Sequence, residues 1–376
     1  MAKKNNRRPL SPQARKRRNA ARAKLASFLA VVALCVGITA LVKASSSVER
    51  PLEVISDEYE YITQTTVVTD ENGEVIPAEG SAEDIAKLDP NIAKVANINI
   101  QLKDTYPIDM IIRSEYAIVY DVEANEVLYA KNAEEKCYPA STTKILTSSV
   151  VLNNMPSEHV FTVGNELDMV NAGSSLAMIS KGQQLDTGMI IDGLMLPSGN
   201  DAAYCAAANV GRALAKDDML SPASAVQTFV DEMNRTAWQL GCENTHFANP
   251  DGFHDDNHYT TVKDMLRITM YAENFPRLME AAGTANKYVT LLSGEGISWE
   301  NSNRLIQTYS DIYYMYATGM KTGMTDQAGY CVVATAERFE HQIICIVFGA
   351  SASDIRWNDT IALLDAAFVQ VRNRED

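Results

Sequence analysis

The sequence lacks the patterns that would indicate a metal or redox centre. It has no Cys-x-x-Cys pair and no His-Glu-x-x-His motif, so zinc-finger, thioredoxin-like and zinc-peptidase assignments have no support. It has only five histidines. His254 and His258 have i, i+4 spacing, but the segment between them, Asp-Asp-Asn, is typical of a loop. We therefore expect ordinary loop histidines and no metal site.

Cysteines are few, and their spacing gives no disulfide framework. Cys35 lies in an apolar run, and the remaining five are scattered and odd in number: Cys137, Cys205, Cys242, Cys331 and Cys345. A domain of this size does not need cross-links to bury a sufficient core. We expect most of these cysteines to be small buried apolar residues. Cys137 stands four residues before Ser141, and the sequence leaves its role undecided.

Acidic residues are absent from the first 24 positions, which contain ten Lys or Arg. The whole chain of 376 residues nevertheless has a formal net charge of -15, so the remainder is strongly acidic. An acidic surface repels the phosphate backbone of nucleic acids. We therefore expect no nucleic-acid partner for the main body, and residues 1–24 are interpreted as a basic cytoplasmic tail.

Residues 25–42, LASFLAVVALCVGITALV, form an 18-residue apolar run without a charge. This length reaches the lower range for a membrane-spanning helix, and the preceding basic residues favour a cytoplasmic N-terminus. The run predicts a single-pass transmembrane anchor. The alternative is a signal peptide cleaved after a small-residue site near Ala44, which would give a secreted protein. Either way, the rest of the chain is expected outside the cytoplasmic membrane.

Residues 43–105 are predicted to form an acidic extracellular stem. The segment is rich in Asp and Glu and contains DENGE and PAEGSAED, which are typical of turns and solvated linkers. A hairpin pattern surrounds Asn72-Gly73, although the composition favours a spacer.

From residue 106 to 376 the pattern is that of one folded domain. EYAIVYDVEANEVLYAKN predicts two strands around a turn, helical patterns dominate residues 141–271, and YCVVATAE with QIICIVFGAS predicts a hairpin of buried strands. A helical stripe closes the chain. This order predicts a mainly antiparallel sheet, built from both ends of the domain, with an inserted all-helical lobe.

One apolar-periodic segment, CYPASTTKILTSS, contains the only Ser-x-x-Lys in the chain, Ser141 and Lys144. If a helix begins near Pro139, the two side chains share one face, and Ser141 lies near free backbone N–H groups. A serine needs a base, and lysine can serve if its pKa is lowered. Taken alone, the pair fits equally well an N-capping serine with a solvated lysine.

Two further motifs occur once each. LMLPSGNDAA contains Ser198 and Asn200, which fit either a helix cap or a second hydroxyl with an orienting amide. TGMKTGMTD contains Lys321, Thr322 and Gly323, which fit either a turn before a hairpin or a binding site for a ligand carboxylate.

In this order, Ser-x-x-Lys, Ser-x-Asn and Lys-Thr-Gly resemble the signature of penicillin-binding proteins and class A β-lactamases. Longer segments resemble the low-molecular-mass D-alanyl-D-alanine carboxypeptidases, a family of serine peptidases. The resemblance covers residues 106–376. Its segments are EYAIVYDVEANEVLYAKNAEEKCYPASTTKILTS, SGNDAA, THFANPDGFHDDNHYTTVKDM, GMKTGMTDQAGYC and GASASDIRWNDTIALLDAAF.

The resemblance implies an α/β fold of the β-lactamase and transpeptidase type. It implies removal of the terminal D-alanine from peptidoglycan stem peptides ending in D-Ala-D-Ala, inhibition by β-lactam antibiotics, and no cofactor. Ser141 would be the nucleophile and Lys144 its base, kept neutral in part by Lys321. Ser198 would relay the proton and Asn200 would hold the lysine and the substrate.

The resemblance also implies a set of substrate-binding residues. The backbone N–H groups of Ser141 and Met324 would form the oxyanion hole beside Lys321 and Gly323, and Thr322 and Arg356 would hold the terminal carboxylate. Two departures from the family pattern, NPDGF and Met324 after the Lys-Thr-Gly, are not expected to touch a catalytic side chain.

Three alternatives remain open from the sequence. A β-lactamase would want a glutamate in an ExxLN segment, and no such segment lies between Asn200 and Lys321. A D,D-endopeptidase on the same scaffold fits the same motifs. A non-catalytic wall-binding domain would not need all five of Ser141, Lys144, Ser198, Asn200 and Lys321.

Overall fold

The computed structural model describes residues 68–69, 75–76, 89–103 and 105–375. The predicted tail and membrane anchor, residues 1–42, lie outside the described residues. Among the helices of the described part, none is long and apolar enough to cross a membrane. Two short strands, β1 (Val68–Thr69) and β2 (Val75–Ile76), pair antiparallel at the position of the hairpin pattern.

The predicted stem contains a helix that belongs to the folded domain. Helix α1 (Pro90–Ala96) begins at Asp89, whose carboxylate accepts a hydrogen bond from the Asn91 N–H. Ile92 and Val95 on this helix are 4% and 1% exposed. The prediction that the stem extends through residues 89–103 as a solvated linker is therefore wrong. The sequence did not reveal the helix because seven residues are too few to show a helical period.

A five-stranded antiparallel sheet forms the centre of the domain, in the order β4-β3-β11-β10-β9. The predicted contribution from both ends of the chain is confirmed, since the first two strands precede the helical segment and the last three follow it. The strands are β3 (Tyr116–Asp121), β4 (Glu126–Lys131), β9 (Ala317–Thr325), β10 (Gly329–Arg338) and β11 (His341–Ala350).

Both faces of this sheet are buried, which explains the continuous apolar runs in its strands. On β3, Ala117 and Val119 face the C-terminal helix, α8 (Ser353–Glu375), whereas Ile118 and Tyr120 face the helical segment. The alternation follows from the two-residue period of a strand.

The middle of the chain is helical but not entirely so. Its helices are α2 (Lys144–Asn154), α3 (Thr187–Met195), α4 (Asn200–Ala215), α5 (Pro222–Gln239), α6 (Val262–Ala272) and α7 (Pro276–Gly283). An antiparallel pair of strands, β5 (Val160–Thr162) and β6 (Gln184–Asp186), interrupts them, so the prediction of an all-helical lobe is wrong in this detail. Strands of three residues are too short to show a two-residue period.

A second hairpin, β7 (Asn286–Thr290) and β8 (Gly296–Glu300), follows α7. The five cysteines in the described part of the chain are free and buried, which confirms that they serve as small apolar residues.

Candidate active site

A short 3-10 turn, Ala140–Thr143, leads directly into α2 and carries Ser141. The hydroxyls of Thr142 and Thr143 donate to the carbonyls of Pro139 and Ala140, at 2.7 and 2.8 Å. These bonds tie the two side chains back to the main chain at the beginning of the turn and so fix its conformation. Ser141 is partly exposed, so it faces solvent from a rigid support.

Lys144, one turn further on, is 0% exposed and points into the protein. Its Nζ lies 3.0 Å from Ser141 Oγ, 2.7 Å from Asn200 Oδ1 and 2.6 Å from the Asp251 main-chain oxygen. A neutral amine has two N–H donors and one lone pair. With both donors given to Asn200 and Asp251, the lone pair is directed at the Ser141 hydroxyl, as a general base requires.

Burial is the main reason that Lys144 can be neutral. Desolvation lowers the pKa of Lys144 from its usual value to about 8, although the negative charges of Asp251 and Asp201 oppose this shift. A substantial fraction of Lys144 is therefore available as a base in mildly alkaline solution.

Asn200 is the first residue of α4, and its amide connects the lysine to a neighbouring loop. Its Nδ2 donates to Ser174 Oγ at 2.9 Å, while its main-chain N–H donates to the Ser175 carbonyl at 2.8 Å. Ser198, two residues earlier, is buried and has a left-handed φ of 60°. Within the described residues, its hydroxyl makes no hydrogen bond that would link it to Ser141 or Lys144.

Strand β9 brings the Lys-Thr-Gly motif to the same place. Lys321 is fully buried, and its Nζ donates to the Thr322 carbonyl at 3.0 Å and approaches Ser302 Oγ at 3.5 Å. The hydroxyls of Ser302 and Thr322 are 2.7 Å apart. Burial, then the charges of Lys144 and Arg356, hold the pKa of Lys321 well below its usual value. The pKa of Lys144 is lowered by the burial of Lys144 itself, and the charge of Lys321 is not among the causes of that shift, which differs from the expectation that Lys321 helps to keep Lys144 neutral.

Two glycines allow the chain to pack closely against the nucleophile turn. A Cβ on Gly323 would lie 2.9 Å from the Ser141 nitrogen, and one on Gly252 would lie 1.9 Å from the Ala140 oxygen. Gly252 also has a φ of 83°, which disfavours any side chain. Strand β9 and the loop containing Gly252 therefore enclose Ser141 from two sides.

Arg356, on α8, lies behind β9. It is 7% exposed, and its Nη1 donates to the carbonyls of Cys331 and Gly323 at 3.1 and 3.4 Å. Burial lowers the pKa of Arg356 to about 10, and its Nε is buried without a partner among the described residues. Met324 follows Gly323 at the strand end, with its side chain 56% exposed.

His258 is buried beside the nucleophile turn. His258 Nδ1 accepts from the Ala248 N–H at 3.1 Å, and its Nε2 lies 2.8 Å from Thr143 Oγ1. Burial lowers the pKa of His258 to about 3, so the ring is neutral and the Nε2–H donates to the threonine. His258 thus supports the turn and does not bond to Ser141.

Three contributors to the site were not found from the sequence: Ser174, Asp251 and Ser302. The expectation that the NPDGF departure touches no catalytic side chain stays a prediction, because the contact with Lys144 comes from the Asp251 main-chain oxygen, which any residue at this position would present. Contacts made by a main-chain oxygen leave no signature in residue type. Ser174 and Ser302 are ordinary loop serines, and only their place in the fold distinguishes them.

The fold is an antiparallel sheet flanked by helices. Its site places a buried lysine against a serine, with a Lys-Thr-Gly strand beside them. Together these features define the penicillin-recognising class of active-site serine proteins. The chain belongs to the D-alanyl-D-alanine carboxypeptidase family, peptidase S11, whose model matches residues 103–352.

Curated relatives support this assignment. The chain is 29% identical over 260 residues to the D-alanyl-D-alanine carboxypeptidase DacF of Bacillus subtilis, covering 68% of this chain and 62% of DacF. It is 30% identical over 271 residues to DacA of Escherichia coli, covering 68% of this chain and 61% of DacA. The matched region therefore spans less than two thirds of the length of these relatives.

A solved structure shares the fold. The crystal structure of the Streptomyces K15 DD-transpeptidase superposes with a TM-score of 0.64 and 28% sequence identity, and the match covers 70% of this chain and 99% of that one.

Proposed function

We propose that this protein is a serine-type D-Ala-D-Ala carboxypeptidase that removes the terminal D-alanine from peptidoglycan stem peptides, and that β-lactam antibiotics acylate the same serine. The observation that carries the proposal is the position of Lys144. Its Nζ is buried, lies 3.0 Å from Ser141 Oγ, and is held by two other acceptors. A capping serine with a solvated lysine would show none of this.

The reaction proceeds by two acyl transfers. Ser141 Oγ attacks the carbonyl carbon of the penultimate D-alanine while its proton passes to Lys144 Nζ. The peptide C–N bond then breaks, and the proton passes from Lys144 Nζ to the leaving amine. The family resemblance, and not a contact in this structure, supports Ser198 as the relay for that proton. A water molecule attacks the ester, with Lys144 again accepting the proton, and Ser141 is regenerated.

The substrate is held between β9 and the nucleophile turn. The N–H groups of Ser141 and Met324 stabilise the oxyanion, a role that leaves the side chain of residue 324 free to vary. Thr322 binds the terminal carboxylate, and the positive charge of Arg356 behind the strand attracts it. Asn200 orients Lys144 and the acyl chain.

Release of D-alanine from a peptide ending in D-Ala-D-Ala tests this proposal. The full chain should release one D-alanine per peptide, and Ser141→Ala should reduce the rate by at least about 1,000-fold. Ser149→Ala on α2 is a matched control, because its hydroxyl donates only to the Ile145 carbonyl. Absence of D-alanine release with continued penicillin labelling would indicate a different wall substrate, and rapid penicillin hydrolysis would indicate a β-lactamase.

We further propose that residues 25–42 anchor the protein in the cell membrane as a single-pass helix, with the catalytic domain outside. The apolar run and the basic residues before it support this orientation. Membrane fractions of cells should contain the full-length protein, and protease added to intact protoplasts should digest it. Recovery of a shortened protein from the medium would instead support a cleaved signal peptide.

A further inference from the structure

The carboxyl group of Asp251 lies beside the nucleophile turn, and the mechanism above does not use it. Burial raises the pKa of this carboxyl, and the positive charge of Lys144 opposes that shift and favours the ionised form. Asp251 is 0% exposed. Its Oδ1 accepts a hydrogen bond from the Phe253 N–H at 3.1 Å. Its Oδ2 is buried and meets no donor within the described residues. An unpaired carboxylate oxygen in a dry interior is costly, so its retention calls for a compensating interaction.

The main chain of Asp251 is held against the lysine. The main-chain oxygen of Asp251 accepts from Lys144 Nζ at 2.6 Å, and Gly252 packs against the Ala140 carbonyl. The preceding residue is also fixed, since Thr147 Oγ1 donates to the Pro250 carbonyl at 2.6 Å. Asp251 therefore cannot move away from Lys144 without disturbing the nucleophile turn.

We propose that Asp251 is a positioning residue whose negative charge stabilises the ammonium form of Lys144 that arises when Ser141 gives up its proton. The inference rests on the proposed function, since it concerns the same acyl transfer. When the proton moves from Ser141 Oγ to Lys144 Nζ, a positive charge appears in a buried site. The carboxylate makes no direct contact with Lys144 Nζ, so it balances that charge through space, across a buried medium that screens it weakly.

The other charges around Lys144 do not fill this role equally well. Both oxygens of Asp201 serve the loop after Ser175: Oδ1 accepts from the Ala177 N–H and Oδ2 from the Ile179 N–H. The remaining titratable groups that face the pair are uncharged or cationic: Tyr204 on α4, His258 before α6, and Lys321 on β9. Asp251 alone combines a buried carboxylate with a free oxygen.

The charge of Asp251 also affects the pKa of Lys144 in the resting enzyme. Because the carboxylate favours the ammonium form, it holds Lys144 protonated to a higher pH than burial alone would allow. Removing the charge should make the neutral base available at lower pH but leave the developing ammonium less stabilised. The two effects can be separated in the pH profile of acylation. The lower pKa of Lys144 moves the midpoint of the profile, and the weaker stabilisation of the ammonium form lowers the rate on its alkaline plateau.

The test is the pH dependence of acylation by a fluorescent penicillin, measured on the full chain and on Asp251→Asn. The substitution keeps the main-chain oxygen that holds Lys144. We expect the alkaline plateau rate to fall several-fold and the midpoint to move toward acid by at least about half a pH unit. Asp251→Ser, which removes the same charge with a smaller side chain, should shift the midpoint in the same direction.

Asp264→Asn serves as the matched control, since Asp264 is a buried carboxyl that bonds to Asn244 and Thr245 away from Lys144. Its midpoint should equal that of the wild type. The midpoint does not depend on the amount of folded protein, so partial unfolding cannot imitate the shift. Asp251 variants that keep the wild-type midpoint would overturn the inference alone, whereas a wild type that penicillin never acylates would overturn the proposed function.

Discussion

At the scale of single residues, the chemistry depends on where the proton of Lys144 resides. Burial lowers the pKa of Lys144 to about 8, and only the neutral amine can accept the Ser141 proton. Acylation by penicillin should therefore rise with pH through a midpoint near 8, and at pH 7 it should be about tenfold slower than on the alkaline plateau. A stopped-flow series from pH 6 to about 10 measures this. A rate that is flat or falls over this range would contradict the assignment of Lys144 as base.

The variant Asn200→Asp tests the role of Lys144 as the base by raising the pKa of Lys144. The change places a carboxylate where Asn200 Oδ1 now accepts from Lys144 at 2.7 Å. The added negative charge stabilises the ammonium form, so the acylation midpoint should move to alkaline pH by about one unit or more. Asn209→Asp, on the same helix but bonded to Thr162 and Cys205, is the control and should leave the midpoint in place. An unchanged midpoint in Asn200→Asp would show that Asn200 does not contact the base.

At the scale of elements, the close approach of a loop to the 3-10 turn fixes the nucleophile. Gly252→Ala would place a Cβ 1.9 Å from the Ala140 oxygen at a φ of 83°, so the loop or the turn must shift. A displacement of this size should slow acylation by about 100-fold. Gly294→Ala, in the turn of β7 and β8, has an equally unusual φ of 104° but open space around it. It should cost about 1 kcal/mol of stability and leave the acylation rate unchanged.

The elements also show where sequence reasoning succeeds. The central strands and the last helix have long apolar patterns, and these predictions are confirmed. Helix α1 and the strand pair β5 and β6 were missed because each of these elements is too short to show a period. At the site, unique motifs identified Ser141, Lys144 and Asn200 as candidates. The contact from Asp251 to Lys144 was not predictable, because it depends on a main-chain oxygen that the fold alone brings near.

At the scale of the whole molecule, α1 belongs to the same compact unit as the catalytic domain. Ile92 and Val95 of this helix are buried. Helix α6 also donates two hydrogen bonds to this segment. Arg267 donates to the Val95 carbonyl at 3.0 Å, and the Tyr271 hydroxyl donates to Asp89 at 3.1 Å. Removing residues 1–88 should therefore leave the melting temperature of the catalytic domain nearly unchanged.

Removing residues 1–103 should have a different result. Loss of the buried isoleucine and valine should destabilise the domain by about 3–5 kcal/mol, which lowers the melting temperature by roughly 10 °C. Differential scanning calorimetry of the two truncated proteins makes the comparison. Equal melting temperatures would show that α1 contributes nothing to the stability of the domain.

The central claim is that Ser141, activated by a neutral Lys144, is the nucleophile. Mass spectrometry of peptides from the penicillin-treated full chain tests it most directly, because the acyl adduct marks the atom that attacked. The adduct should lie on the peptide containing Ser141, and the adduct should be absent from Ser141→Ala and greatly reduced in Lys144→Ala at pH 7. An adduct on another residue, or none at all in the wild type, would contradict the claim.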